Sequence, residues 1–556
     1  MLDAMRLLII AAAASLLSLV PAYFVDPGPD IIHHITLTEC FVEQLWAGEL
    51  YPRWCEKVNA GLGSQIFITY YPLAYYITSI FYPLTWMGGN ILLLLAVSAW
   101  FAGVVSWLTV YLWLKDQVGK QAAIAAGFLY LLLPYRMEVL YMRPSLPELW
   151  VMAFYPLVFL YIRQIAKTPS LPKIGTLAAL ISICLLTQVP TTLCILMVGG
   201  MYLFCLSLPK IKPTIAYGAA AILGLMGSLF YIAAAREYQQ FLSPSMAIDM
   251  KTVWVCRHML WEDLTARPWA VFGFACTMTL FLLLTFKIGL ALRSGTLSIA
   301  RRDYIAFVIS GTFSCLMLFP VSEPLWELWR ATGAPGMPWR MQAGVGLSVV
   351  ALASYLLGTH TSKAKYQPKQ GDVVALVMFL LFLSFGYGAI YTEEAKKTIT
   401  RIIAAKAIQF DEHFSRWTDE THYKLEELIK LHERYPDRPL SKLVPNTGII
   451  TTAYRMHSGF VIEAQLMKPA SLVIEHFYFP SWRATGADGK IYEITPLQGS
   501  GRMSIQLAEG QHRINLTHDV YGNDGLVAWS RQVSLGVWIL IVALAFWRQK
   551  NRSALE

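Results

Sequence analysis

The chain is 556 residues long, with 56% hydrophobic and only 15% charged residues, and its mean hydropathy is +0.47. Such a composition excludes an ordinary soluble domain and reads as a polytopic membrane protein. The formal net charge of +9 does not argue for nucleic acid, because many of the basic residues fall in short loops on one side of the predicted spans, where topology alone accounts for them.

Met1 to Val20 reads as a retained first span, since Pro21-Ala-Tyr lacks a convincing small-x-small cleavage site. Apolar runs of about 17 to 25 residues predict about twelve spans, near 5–24, 91–114, 120–135, 146–163, 174–189, 191–207, 214–234, 268–289, 304–320, 339–358, 371–391 and 532–547. Lys115/Lys120, Arg163/Lys167/Lys173, Lys210/Lys212, Lys287/Arg293/Arg301/Arg302, Lys363/Lys365/Lys369 and Arg548/Lys550/Arg552 then all fall on one side. By the positive-inside rule that side is cytoplasmic. The alternation closes only if the apolar stretch Gln65 to Trp86 stays at the outer face without crossing.

The predicted organisation is a transmembrane domain over 1–391, an extracytoplasmic domain over 392–531, and a last span with its tail over 532–556. Polar material gathers on the outer face, in 24–90, 136–145, 235–267 and 321–338 as well as in the soluble segment.

The first outer loop is the densest. Asp26, Asp30, His33, His34, Glu39, Glu43, Arg53 and Glu56 lie between two very apolar segments, and lipid neighbours do not explain that many ionisable groups. Asp30 and His34 are one helical turn apart after Pro29 and share a face if this segment is helical, although Asp30 also suits a helix N-terminus for purely structural reasons. Adjacent His33 and His34 point about 100° apart and would not readily share an ion. Asp26 with Asp30 is only a suggestion of an octahedral site. No obligatory metal is expected, and a divalent Mg or Mn ion stays open. Cys40 and Cys55 share this loop, and the sequence leaves open whether they bridge. Tyr70, Tyr71, Tyr75 and Tyr76 suit either an aromatic belt or a groove that stacks on sugar rings.

In the soluble segment, a helical pattern runs from Lys396 to Leu431. From Thr447 the pattern changes to short alternating runs, Gly459-Phe-Val-Ile-Glu-Ala, Leu472-Val-Ile-Glu-His-Phe-Tyr and Arg513-Ile-Asn-Leu, with turn signals at Asp488-Gly489, Gly499-Ser-Gly501 and Glu509-Gly510. That predicts a small β-sandwich.

Several strings along the chain carry a resemblance. They are Asp30-Ile-Ile-His-His34, Trp46-Ala-Gly48-Glu-Leu-Tyr51-Pro52-Arg53-Trp54, Asn59-Ala-Gly61-Leu-Gly63 and Tyr70-Tyr71-Pro72-Leu-Ala-Tyr75-Tyr76, then Tyr141-Met-Arg143-Pro-Ser-Leu-Pro-Glu148, Ser322-Glu-Pro324-Leu-Trp326, Met337-Pro338-Trp339-Arg340 and Phe479-Pro480-Ser-Trp482. In this order they resemble the bacterial membrane proteins called 6-pyruvoyl-tetrahydropterin synthase-related and their YfhO-like relatives, within the type C glycosyltransferase superfamily. Where that family often has a His, this chain has Gln188.

The resemblance implies a mainly α, type C fold with a C-terminal extracytoplasmic β-sandwich, in a bacterial inner membrane. It also implies an enzyme that moves a sugar, with inversion, from a polyprenyl-phosphate donor to a cell-envelope glycan or lipid acceptor. An acceptor hydroxyl attacking an anomeric carbon needs a carboxylate to take its proton. Asp30 is the first candidate, with His34 to orient it and Asp26 and Glu39 in reserve. The leaving phosphate needs cationic donors, and Arg suits phosphate better than Lys. Arg53, Arg143 and Arg340 are the candidates, Arg340 foremost because a charge at the membrane edge is costly unless paired or facing a polar cavity. Glu148, close in sequence to Arg143, joins Tyr70, Tyr71 and Trp339 as candidate groove residues. A lipid-linked sugar transporter or a non-catalytic assembly protein is the alternative.

Overall fold

A computed structural model describes residues 2–19, 29–142, 144–208, 210–242, 268–294, 301–331, 338–358, 415–418, 439–456, 459–519 and 525–547. The class is the expected one: a bundle of apolar helices with a C-terminal β-sandwich.

After α1 (Leu2–Ala14), helix α2 (Pro29–Trp46) opens the loop region. Between Gln65 and Trp86 the backbone forms only the four-residue α3 (Ile66–Thr69), the seven-residue α4 (Leu73–Ser79) and a short 3₁₀ turn at Tyr82–Met87. At 1.5 Å per residue none of these reaches across a bilayer, so this apolar stretch does not cross as a single helix.

The spans begin with α5 (Ile91–Val118), whose first turn is capped by the Asn90 side chain accepting from the Leu93 amide at 3.0 Å. Helix α6 (Lys120–Leu131) follows, then a break and α7 (Pro134–Met137), which runs into a π-helical turn at Glu138–Met142. The two parts meet at 47°, where Pro134 has no amide hydrogen to continue the ladder. Next come α8 (Leu146–Lys167), α9 (Leu171–Thr187), α10 (Val189–Ser207) and α11 (Ile211–Gly227), then α12 (Leu229–Gln239), bent 61° from α11. Helices α13 (Pro268–Arg293), α14 (Arg301–Leu316), α15 (Glu323–Ala331), α16 (Gln342–Leu357) and α17 (Leu526–Phe546) complete the described set. Six described helices are long and apolar enough to cross a membrane, or up to nine if each bent pair counts once. The span expected at 371–391 lies outside the described residues.

Helix α17 repairs the α11–α12 bend. Ser534 Oγ donates to the Met226 carbonyl and accepts from the Phe230 amide, both at 2.9 Å, and Trp538 Nε1 donates to Gly227 O at 2.9 Å. Backbone groups freed by a break inside a bilayer need such partners.

The strands β1 (Ser441–Val444), β2 (Gly448–Met456), β3 (Gly459–Leu466), β4 (Ala470–Phe477), β5 (Trp482–Gly486), β6 (Ile491–Tyr492), β7 (Thr495–Pro496), β8 (Arg502–Leu507) and β9 (Gly510–His518) form a sandwich of two antiparallel sheets, β1-β4-β8-β7 and β2-β3-β9-β5-β6. The predicted runs fall in β3 (Gly459–Leu466), β4 (Ala470–Phe477) and β9 (Gly510–His518). Their alternation buries Phe460, Ile462, Leu472, Ile474, Ile514 and Leu516 between the sheets. Two residues of the first loop, Trp54 and Leu62, belong to the same core. Gly63 makes this possible: its φ is +74°, and a Cβ there would lie 2.4 Å from the Trp54 ring.

The helix expected over 396–431 is not continuous. Its described residues 415–418 form a turn bridged to Leu242 and Gly499. The Arg416 amide goes to Phe241 O, and the Trp417 ring stacks on Phe241 and meets Tyr478 edge-on. Tertiary packing of these rings outweighs local helical preference.

Candidate functional site

The first loop is tied at several points. Cys40 in α2 and Cys55 form a disulfide with a Cα separation of 5.5 Å, which settles the question the sequence left open. Cys55 and Ser64 exchange backbone hydrogen bonds at 2.8 and 2.9 Å, and the Phe477 amide donates to Leu62 O at 2.9 Å, joining loop to sandwich. Lys57 engages Glu39 at 3.0 Å and Glu43 at 2.7 Å on the half-exposed face of α2. Glu39 is therefore part of a surface tether. Trp46 Nε1 donates to Ser79 O at 3.0 Å and the Tyr76 hydroxyl to Leu50 O at 2.6 Å, docking α4 beside the end of α2.

Asp30 is the second residue of α2, one turn before His34; of Asp30 only this place in the helix is described, and Asp26 and Arg143 lie outside the described residues. His34 is buried, with Nδ1 2.9 Å from the Tyr75 hydroxyl. Its ring also meets Tyr70 edge-on at 6.2 Å, Tyr70 lies 5.1 Å from Tyr71, and Tyr71 lies 6.1 Å from Tyr231. The tyrosines thus form a connected ring cluster running from α2 to α12.

A second cluster sits where spans begin. Arg340, in the 3₁₀ turn Pro338–Met341 that leads into α16, is 6% exposed. Its Nη1 donates to Thr191 Oγ1 at 2.6 Å and lies 3.7 Å from Glu148 Oε2. Glu148, in the first turn of α8, is wholly buried and accepts a hydrogen bond from the Tyr135 hydroxyl. The Thr191 hydroxyl contacts Gln188 Oε1 at 2.5 Å and Glu148 Oε1 at 3.5 Å. Gln188, where the resembled family often has a His, therefore belongs to the shell around Arg340. Trp339 is half-buried in the same 3₁₀ turn. The chemical capacity is that of a buried guanidinium held by a carboxylate and a hydroxyl, which is suited to oxyanion binding.

Arg53 lies at the junction of loop and sandwich, where its charge acts on Glu49, His518 and Tyr238. Burial pushes the Glu49 carboxyl up to about 7, with Arg53 opposing the shift. Burial, with Arg53 adding to it, brings His518 down to about 3, so the imidazole is neutral. Its Nε2 lies 2.7 Å from Ser481 Oγ, which in turn donates to Gln65 Oε1 at 3.3 Å.

Sequence reasoning missed Glu49, Tyr135, Thr191 and, above all, Arg136. That arginine was read into an outer loop, whereas the structure buries it completely. Its signal was an arginine following the apolar run Leu131-Leu-Leu-Pro134. Among the described residues no group of three or more His, Cys, Asp and Glu is placed to hold a metal ion. An apolar cavity lined by Leu129, Leu133, Pro134, Thr277, Leu280, Leu284, Val349, Val350 and Ala353 carries no charged side chain and is not part of either cluster.

No protein-family model and no curated protein matches the chain. Solved structures do resemble it in fold. One is the arabinofuranosyltransferase AftD from mycobacteria, at 16% identity and TM-score 0.43, covering 69% of this chain and 28% of that one. Another is ArnT from Cupriavidus metallidurans bound to undecaprenyl phosphate, at 12% identity and TM-score 0.45, covering 76% of this chain and 67% of that one. A third is the oligosaccharyltransferase of Archaeoglobus fulgidus, at 14% identity and TM-score 0.43, covering 76% and 60%. The chain spans under a third of the first protein's length.

Proposed function

We propose that this protein is a type C membrane glycosyltransferase that moves a sugar from a polyprenyl-phosphate donor to a cell-envelope glycan or lipid on the extracytoplasmic side. The observation that carries the reading is the Arg340–Glu148–Thr191 network, a guanidinium buried at the head of a membrane span. A cation at that depth is costly without a partner, and its planar fork fits phosphate as well as carboxylate. The disulfide supports the sidedness, because such bonds persist in oxidising compartments.

In this reading the acceptor hydroxyl gives its proton to the Asp30 carboxylate as its oxygen attacks the anomeric carbon from the face opposite the phosphate. The carbon–oxygen bond to the phosphate breaks, the anomeric configuration inverts, and polyprenyl phosphate leaves with the bonding pair. Arg340, with Arg53 and Arg143, balances the charge that builds on the phosphate. His34, fixed by Tyr75, orients Asp30 or hydrogen-bonds the acceptor, and Tyr70 and Tyr71 offer ring faces to a sugar. These steps are written without a metal; a Mg or Mn ion, with Asp26 and Asp30 as the candidate residues to hold it, would supply charge neutralisation.

The bent spans favour one alternative, a lipid-linked sugar transporter, because discontinuous helices are common in such proteins. One experiment separates the two: mass spectrometry of envelope glycans and lipid-linked sugars from cells with and without the chain. Transfer predicts loss of one sugar substituent with build-up of its lipid-linked donor on the outer leaflet. Build-up on the inner leaflet supports transport, and unchanged profiles overturn the proposal.

A further inference from the structure

Arg136 lies in α7, just past the break after α6, where Pro134 starts the new segment and a π-helical turn follows. Single π turns inside helices mark functional sites often enough to draw attention here. The side chain has 0% exposure, and among the described residues none of Nε, Nη1 and Nη2 has a hydrogen-bond partner. Guanidinium stays charged in proteins and carries five donors with no acceptor. A buried charge without a counter-charge is among the costliest arrangements a fold can keep.

A second orphan lies in the same bundle. The Tyr155 hydroxyl of α8 is also buried without a partner. Tyr130 is the shared electrostatic neighbour of Arg136 and Tyr155, and its own hydroxyl is spent on Met152 O at 2.7 Å. Glu148, the nearest buried carboxylate to Tyr155, already serves Tyr135, Thr191 and Arg340. Arg136 has only donors, so its missing partner is an acceptor-rich anion.

We propose that Arg136 forms an anion site inside the bundle that takes a phosphate group. The proposal deepens the polyprenyl-phosphate reading and rests on it for the phosphate's source, which is the carrier lipid. Arg136 then anchors the donor phosphate from within the bundle, and Arg340 approaches from the head of α16. The apo protein holds the cost of the unpaired charge, and the ligand removes it.

The test uses the full chain in lipid nanodiscs, with undecaprenyl phosphate and inorganic phosphate as separate probes, read by native mass spectrometry and by the shift of the unfolding temperature. Wild type is expected to bind undecaprenyl phosphate. Arg136→Gln is expected to weaken that binding by about 30-fold or more, the scale of losing a buried charge-assisted contact. Arg136→Lys, with charge but no fork, is expected to fall between them. The unfolding temperature of Arg136→Gln without ligand should equal or exceed that of wild type, because an uncompensated charge is gone. Equal lipid binding by all three proteins overturns the site while the carrier reading stands. So does a Gln variant that is less stable without ligand yet binds as wild type does. Binding of inorganic phosphate alone, lost in Arg136→Gln, keeps the anion site and overturns the carrier reading. Binding of neither probe by wild type overturns both.

Discussion

Arg340 and Glu148 meet across the bundle with Nη1 3.7 Å from Oε2, one at the start of α16 and the other in the first turn of α8, and both are almost completely buried. The guanidinium is closer to Thr191, at 2.6 Å. The pair is thus bridged by a hydroxyl and is not collapsed into a bidentate fork, a geometry in which an incoming oxyanion can compete for the guanidinium.

Removing one partner of such a pair strands a buried charge. Glu148→Ala is expected to destabilise the protein by about 3–5 kcal/mol, and Glu148→Ala with Arg340→Ala by less than the sum of the two single changes. Denaturation of the three variants in nanodiscs checks this, and additive costs would show that the two side chains do not depend on each other.

Arg340→Ala should affect the two substrates unequally. Donor affinity is expected to drop by about 30-fold or more, on the scale of a lost charged contact, with acceptor affinity changed little. Separate titrations of donor and acceptor measure the split, and equal losses would assign Arg340 to general folding.

The disulfide closes the stretch that carries Trp54 to the sandwich. By the loop-entropy relation, Cys55→Ser is expected to cost about 3 kcal/mol. In the intact protein both thiols should alkylate only after reduction. Alkylation of Cys40 without reductant would contradict the bridge.

Trp54 holds the loop–sandwich junction. It meets Trp482 at 5.0 Å and His518 at 5.5 Å between ring centres. Trp54→Ala is expected to cost about 3–5 kcal/mol through the cavity it leaves. The junction also responds to pH. His518 is held near 3 against an ordinary 6.5, so the unfolded chain takes the proton first. Its contribution is complete above about 6.5 and is lost as pH falls toward 3, at about 1.4 kcal/mol per unit. Glu49 acts in the opposite direction: with its carboxyl raised from 4.5 to about 7, stability falls as pH rises through that window. His518→Gln should flatten the acid limb of the stability profile and Glu49→Gln the limb between 4.5 and 7. Unchanged slopes would show that these groups titrate alike in both states.

Much of the architecture was legible because it follows from local pattern. Alternation marked β3, β4 and β9, and charge asymmetry between loops indicated that Gln65 to Trp86 does not cross as one helix. Long-range partners were not legible. Glu148 meets Arg340, 192 positions away, because the first turn of α8 and the 3₁₀ turn before α16 come together in the bundle. Arg136 was hidden for a related reason: Pro134 breaks the apolar run, so the residues after it resemble a loop, and only packing of α7 into the bundle buries the arginine. The 415–418 turn reads as helix in the sequence because Phe241 and Tyr478, which decide where Trp417 goes, are distant along the chain.

The most direct test of the account concerns Asp30. In cells lacking the chain, wild type and Asp30→Asn are supplied at equal membrane levels, and the envelope substituent and its lipid-linked donor are quantified by mass spectrometry. The account predicts that wild type restores the substituent while Asp30→Asn leaves it missing and the donor accumulated. Full restoration by Asp30→Asn would contradict it.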